Sequence, residues 1–434
     1  GISPADQVNA SMGGETPVRL VHEAAVRIAA GEPVVAAITG GEAAHAVGRA
    51  RKAGAMPPWT DMPPPGETIR FPSSSFALSP VAKALEIWDP AQIYPFYEVA
   101  SQASWGQTPR QAHAASAQLW ARYAEVAAAN PSAWIRSAPD AERIAAIDGD
   151  NRMINWPYPK LMVANPAVNQ AAAIVVMSLE KARELGLAER RLVHIWGGAA
   201  AREPEDYLER DRYDRSTAQS AVLEAAVSLM DDGRTAFDQI ELYSCFPVVP
   251  KMALRTLGDA AAQRPPSVAG GLTFFGGPLN NYMGHAVAAM VRNLRAAPGD
   301  LGLLYGQGGY MNKHHALVIG TAPSGRPIET DYCVQAEADR LREPVPALAA
   351  GYEGPVKLET YTVTYARTGE PSQGIVIALT PDGQRVMARV QPTDEATIAL
   401  LTDWEQSAVG LWGLVSVDTS GTPLFTAPDA SPSL

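Results

Sequence analysis

The sequence predicts an α/β protein: a core of two similar halves, a helical insertion in the first half and a small β domain at the C-terminal end. Three observations predict it. A plan of strand, glycine-rich turn, helix and strand occurs twice, once before Glu42 and once around 268–319. The stretch from 51 to 159 has another texture, with helical spacing and six of the nine tryptophans, Trp59, Trp88, Trp105, Trp120, Trp134 and Trp156. From 351 onward the period becomes two, clearest in Leu358-Glu359-Thr360-Tyr361-Thr362-Val363.

Taken in order, Gly1–Ser11 reads as a short strand. Thr16 is a helix N-cap, Pro17 suits the first helical position and Gly31 ends the helix, whose apolar face is Val18, Val21, Ala24, Ala25 and Ile28. Val34–Ile38 follows as a strand, then the turn Thr39-Gly40-Gly41-Glu42. Pro57, Pro58, Pro63–Pro65 and the serines at 73–75 mark an irregular segment. Helices are expected at Val81–Ile87, Pro95–Ser104, Pro109–Ala129 and Asp140–Asn151. Asn169–Met177 is a strand and Ser178–Gly186 a helix; Arg191–Trp196 opens the second half. Ser216–Met230 is a helix capped by Ser216 or Thr217, and Ile240–Leu242 a strand. Val268–Phe275 reads as a buried strand, Met283–Leu294 as a helix with His285 in its first turn, and Leu301–Tyr305 and Ala316–Ile319 as the closing strands. Beyond a charged linker, Val356–Tyr365, Gln373–Leu379, Arg385–Val390 and Gly410–Val417 are strands, Asp382-Gly383 a hairpin turn and Thr393–Thr402 a helix, which fits a small barrel of OB type.

Composition narrows the function. The 434 residues suffice for two or three domains, and 47% hydrophobic content supports large cores. A formal charge of -11 argues against nucleic-acid binding. Cys245 and Cys333 alone give no disulfide framework and no zinc pattern, which fits a reducing cytoplasm. No apolar run is long enough to span a bilayer.

Chemistry concentrates between Gly270 and Gly320, which holds three of the seven histidines and two glycine-rich turns. His285, in a helix first turn, can donate to a developing oxyanion or simply pack. Three motifs resemble the thiolase superfamily. Gly284-His285 matches its Gly-His helix start. Gly306-Gln307-Gly308 lies where the family has Cys-x-Gly. Tyr243-Ser244-Cys245-Phe246 is similar to the His-Asp-Cys-Phe of sterol-carrier-type thiolases. The segment that carries the family's nucleophilic cysteine places that position on Gly14, so both thiolase cysteines are glycines here.

The resemblance implies a thiolase-like five-layered αβαβα core of two similar halves. The N-terminal half would take 1–50 and 165–188, a helical loop domain 51–164, the C-terminal half 189–326, a linker 327–350 and an OB-like β domain 351–434. It also implies that the first strands of the N-terminal half are absent, whether truncated, cleaved or supplied by a separate N-terminal polypeptide, and a homodimer through the core sheet. The implied ligand is an acyl-CoA thioester, with coenzyme A as part of the substrate and no other cofactor, and the context is lipid metabolism. Without a nucleophile the chemistry would be of enolate or C–C bond type, acetyl-CoA acetyltransferase-like in its fold but not in its covalent step. A CoA-thioester retro-aldolase and a non-catalytic CoA- or lipid-binding protein are the alternatives. Catalytic candidates are His285, Tyr243, Tyr282 and Tyr310, with His314 and His315 as further proton carriers. Gly14, Gly308, Asn281, Cys245 and His314 would line the oxyanion and substrate site.

Overall fold

The computed structural model describes residues 7–32, 35–57, 59, 77–230 and 233–428. The expected first strand lies outside them up to residue 6, and Gln7–Ser11 are not in a strand. Val34, Pro58, Pro63–Pro65 and the serines at 73–75 also lie outside the described residues.

The core is built from α1 (Thr16–Ala29), β1 (Val35–Glu42), β4 (Gln170–Met177), β5 (His194–Arg202), α8 (Thr217–Val227), β6 (Gln239–Leu242), α9 (Val248–Leu257), α11 (Tyr282–Ala296), β7 (Leu301–Gly308) and β8 (Lys313–Gly320). Between β1 and β4 lie α2 (Ala44–Lys52), α3 (Pro80–Ala84), α4 (Pro90–Ser104), α5 (Pro109–Ala129), α6 (Ala141–Ala145) and the hairpin β2–β3 (Met153–Asn155, Tyr158–Pro159). Short helices α7 (Leu179–Glu184) and α10 (Asp259–Ala262) follow β4 and α9.

The α1 stripe forms as its periodicity requires. Val18, Val21, Ala24 and Ala25 are buried, and the helix packs beside α11 between two sheets. On one side the four-stranded sheet runs in the order β5-β8-β7-β6, with β6 and β7 parallel and the other pairs antiparallel. Every residue of β7 is buried, because α11 covers one face of this sheet and α8 and α9 flank the other. On the other side, β1 and β4 pair antiparallel from Val35↔Met177 to Glu42↔Gln170. The unit α1–β1–β4 repeats the plan α11–β7–β8. Among the described residues, however, nothing corresponds to β5 and β6 beside it, and its outer face is bare. β1 therefore alternates between exposed and half-buried, and Val175 is 61% exposed. Four of the five layers are thus built by the described residues.

An open apolar groove of about 690 Å³ runs beside this sheet, lined by Val21, Ala25, Ile174, Val176, Val287 and Val291 among others. Since Val175 lies on the bare face, Val175→Glu is expected to change the unfolding free energy by less than about 0.5 kcal/mol. It should also lower binding of an apolar fluorescent dye. Denaturant melts and a dye titration check this, and a loss of several kcal/mol would show that the face is covered.

Several local readings change. Thr39–Glu42 is not a turn but the end of β1, and the register with β4 carries it through both glycines. Val268–Phe275 is not a strand. Gly270, Gly271 and Gly276 take positive φ, and Gly271–Phe275 forms a π-helical turn held from below by Glu241 and Ser267. The α1 N-cap is Glu15 rather than Thr16, whose hydroxyl donates to the Ser11 carbonyl at 2.9 Å. β5 begins after a 3₁₀ turn and extends to Arg202.

The C-terminal strands β9 (Gly354–Tyr365), β10 (Pro371–Leu379), β11 (Arg385–Val390), β12 (Trp412–Val417) and β13 (Pro423–Thr426) close a five-stranded barrel. Its order is β9-β10-β11-β13-β12-β9, with β11 and β13 parallel and α13 (Glu395–Leu401) between β11 and β12. That is OB topology. The linker contributes α12 (Gln335–Leu341) and a bridge from Cys333 to Ala200 beside β5. The barrel is bound into the rest of the molecule. Hairpin β2–β3 extends its sheet through Asn155↔Thr364. The buried Arg385 pairs with Glu359 at 2.6 and 2.8 Å, donates to the Leu208 carbonyl at 2.8 Å and stacks over Tyr213.

Candidate active site

The site lies where the N-terminus of α1 meets the C-terminal ends of β6 and β7. Tyr243 follows β6 directly, and its amide donates to the Tyr305 carbonyl at 3.0 Å, continuing the parallel pairing for one residue. The ring is thereby aimed at α1. A Cβ built on Gly14 would stand 2.3 Å from Tyr243 Oη and 2.4 Å from the Gln307 carbonyl oxygen. The space for a side chain at position 14 is already taken by a phenol and a backbone oxygen. Tyr243 is 7% exposed, and burial, with Cys245 and Glu15 nearby, holds its hydroxyl well above the usual phenol range. It is a neutral proton donor.

Gly306 and Gly308 form the other wall. They lie inside β7 rather than in a turn, and the chain turns at Gly309 with φ 65°. Their value is close approach. A Cβ on Gly306 would meet Glu15 Cα at 3.0 Å, and one on Gly308 would meet Glu15 Oε2 at 2.1 Å and the Gly14 nitrogen at 2.9 Å. Between them Gln307 turns inward and donates through Nε2 to Tyr94 Oη (2.8 Å) and Cys245 Sγ (3.1 Å). Burial pushes the Cys245 thiol up to about 12, so it remains a protonated, inert group.

The other candidates are spread around this point. Tyr282 is fully buried, donates to Glu241 Oε1 at 2.7 Å and accepts from the Gly271 amide at 2.9 Å. It braces the π turn and meets Tyr243 edge to face at 5.9 Å. Asn281 Nδ2 donates to the Gly40 carbonyl at 2.5 Å and ties the start of α11 to β1. The neighbouring Asn280 accepts the Gly13 amide at 3.2 Å. His285 packs 5.2 Å from Phe275, its Nε2 is buried without a partner, and burial pushes it down to about 4. It is neutral at physiological pH.

Tyr310 and His314 stand apart from Gly14 in the bonding network. Tyr310 donates to the Trp88 carbonyl at 2.5 Å. His314 bonds Tyr305 Oη at 2.7 Å and the Met311 carbonyl at 3.1 Å, beside Ser216 and the buried Glu203. His315 pairs with His22 at 3.0 Å on α1. Glu15, Gln307, Tyr94 and Glu241 were not singled out from sequence. Glu241, a lone carboxylate in the apolar run Ile240–Leu242, carried the one visible signal.

Comparisons with known proteins bear on the fold. Residues 334–420 match the family described as the thiolase-like protein type 1 additional C-terminal domain. The chain is similar to a monomeric SCP2-thiolase-like protein type 1 from Mycobacterium smegmatis, at 29% identity and TM-score 0.80, over 97% of this chain and 83% of that one. It also shares its fold with an Ltp2–ChsH2(DUF35) aldolase, at 19% identity and TM-score 0.51, over 71% of this chain and 78% of that one. No curated protein matches the sequence. With its paired α–β–β units, glycine-walled site and additional C-terminal barrel, the chain belongs to the thiolase-like superfamily.

Proposed function

We propose that the chain is a non-acylating thiolase-like protein that binds an acyl-CoA thioester without forming an acyl-enzyme. One observation carries the covalent half of this reading. Tyr243 Oη and the Gln307 carbonyl fill the position from which a nucleophilic side chain at 14 would act. Substituting the residue alone would not restore the reaction, because the room is gone. The one cysteine beside the site, Cys245, is held as a neutral thiol by burial. Support for the acyl-CoA ligand comes from the fold and from the helix N-terminus of α1 facing the glycine-lined end of β7, where backbone dipoles favour an oxyanion.

The test is incubation with acetyl-CoA and longer acyl-CoA species. Calorimetry is expected to show binding, and intact mass no acyl adduct. A stoichiometric adduct would overturn the non-acylating reading, and no binding would overturn the ligand.

A second reading is favoured by the placement of Tyr243. A neutral phenol at the N-terminus of α1 suits retro-aldol cleavage of a β-hydroxyacyl-CoA. There the hydroxyl proton leaves to a base, the Cα–Cβ bond breaks to give an aldehyde and an enolate, and an acid returns a proton to Cα. In that reading Tyr243→Phe removes the acid and lowers aldehyde release by about 100-fold or more, with CoA affinity unchanged. An unchanged rate would remove Tyr243 from the chemistry.

For the assembly, the related protein from Mycobacterium smegmatis is described as monomeric, which supports a monomeric core over a homodimer. Among the described residues no further strand pairs with the outer edges of β1 and β4, which favours further polypeptide pairing there, and native mass spectrometry of the purified sample tests it.

A further inference from the structure

We propose that Glu15 is an intramolecular occupant of the anion niche at the N-terminus of α1. The niche is latent, and takes a carboxylate or an enolate oxygen only when this side chain swings out. The inference deepens the reading above, since the niche belongs to the same site.

Glu15 is 4% exposed. Its carboxyl is wedged between two glycines: a Cβ on Gly13 would lie 2.2 Å from Oε2 and 2.5 Å from Oε1, and one on Gly308 2.1 Å from Oε2. Any side chain at either position would evict it. The helix it caps is 14 residues long, so its N-terminal amides carry a positive end charge. Lys313, Arg19 and Arg202 add positive potential at the carboxyl. The Lys313 ammonium is anchored to the Met12 carbonyl at 2.9 Å, beside the loop that enters α1. Burial outweighs these influences and lifts the carboxyl above the usual carboxylate range, and no amide of the following turns of α1 bonds it. The chain thus fills the niche with a poorly accommodated acid of its own.

The occupant fits imperfectly. Its own amide donates to the carboxyl, yet Oε2 is buried with no hydrogen-bond partner. An unpaired buried oxygen is costly, so this side chain is held less tightly than a fully bonded one. That is what a displaceable plug requires. A ligand oxygen reaching the wall of Gly308 must first move it, which links ligand entry to a rotation of Glu15.

The test is Glu15→Ser. Serine is a strong N-cap, so the helix start is preserved while the carboxyl is removed. Thermal unfolding is compared in sodium formate and in sodium chloride at equal ionic strength and neutral pH. The variant is expected to melt about 2 °C higher in formate, while wild type and Glu15→Gln, whose niche stays filled, show no difference. Equal responses from Glu15→Ser and wild type overturn the proposal. Should Glu15→Ser fail to fold in chloride, its refolding yield in the two salts becomes the readout, and equal yields overturn it. A formate response without acyl-CoA binding by either protein keeps the niche and removes the acyl-CoA reading. Acyl-CoA binding without a formate response removes the niche alone.

Discussion

Gly14→Cys is expected to destabilise the protein by about 3 kcal/mol and to leave the introduced thiol unreactive. The Cβ alone would sit 2.3 Å from Tyr243 Oη and 2.4 Å from the Gln307 carbonyl oxygen, well inside van der Waals contact. A phenol can rotate away if its neighbours allow it. Tyr243 is closed in by Tyr282 at 5.9 Å, and its backbone is pinned to Tyr305. The carbonyl belongs to β7 and cannot move without breaking its pairing with β8. Tyr243→Ala makes the cause visible. It removes the phenol at the usual cost of emptying a buried aromatic site, about 3–5 kcal/mol. The double variant is expected to lose at least about 1 kcal/mol less than the sum of the two single changes. It should remain less stable than Tyr243→Ala alone, because the Gln307 oxygen stays in place. Denaturant midpoints for the four proteins, with alkylation followed by intact mass, provide the measurement. Strict additivity, or rapid alkylation of a fully stable Gly14→Cys protein, would mean that Tyr243 does not fill the position.

This closed site shows where sequence reading reaches its limit. That position 14 holds glycine is readable in one line of sequence. That the missing side chain is replaced by a tyrosine 229 residues further on is a tertiary fact with no local trace. Glu15 is similarly silent, since a carboxylate following Gly-Gly at a helix start reads as an ordinary first-turn acid. The barrel was more legible. Its strands carry a two-residue period, Asp382-Gly383 marks one hairpin, and the expected bounds fall within two residues of β9–β12. The fifth strand, Pro423–Thr426, is too short to show alternation. Val268–Phe275 misled for a physical reason. An apolar run buried on all sides looks the same as strand or coil, and only the glycines at 270, 271 and 276, in positive φ, bend it into a π turn. The bare face of β1 and β4 has no local trace either, because the residues of β1 and β4 alternate as they would beneath a covering layer. The expectation of missing strands rested on the family resemblance and concerned the sheet edge.

The carboxyl beneath that turn gives the other large effect. Glu241 is expected to make the protein less stable as pH rises from about 4.5 to about 7. The side chain is fully buried, and desolvation lifts its pKa to about 7. The Tyr282 and Ser267 hydroxyls and the Val268 and Ala269 amides all donate to it and offset only part of that lift. The sign follows. Below 4.5 the folded and unfolded forms both hold the proton, and there is no penalty. Between the two values the unfolded chain gives up its proton while the folded chain keeps it, so unfolding becomes progressively easier. Above 7 both are ionised and the penalty stays constant. A rise of 7 − 4.5 = 2.5 in pKa corresponds to about 3 kcal/mol. Glu241→Gln abolishes this titration. It gives up the bond from Tyr282 to Oε1, at about 1 kcal/mol, so it should be the less stable protein at pH 4.5 and the more stable one above neutrality. Urea midpoints of both proteins at acidic, neutral and mildly alkaline pH isolate the effect, because every other titrating group is common to the two. Parallel pH profiles would mean that four donors outweigh burial and that the carboxylate is ionised throughout. The brace beneath the π turn would then be a charged one, with Tyr282 still donating its proton to Glu241 and unavailable to a ligand.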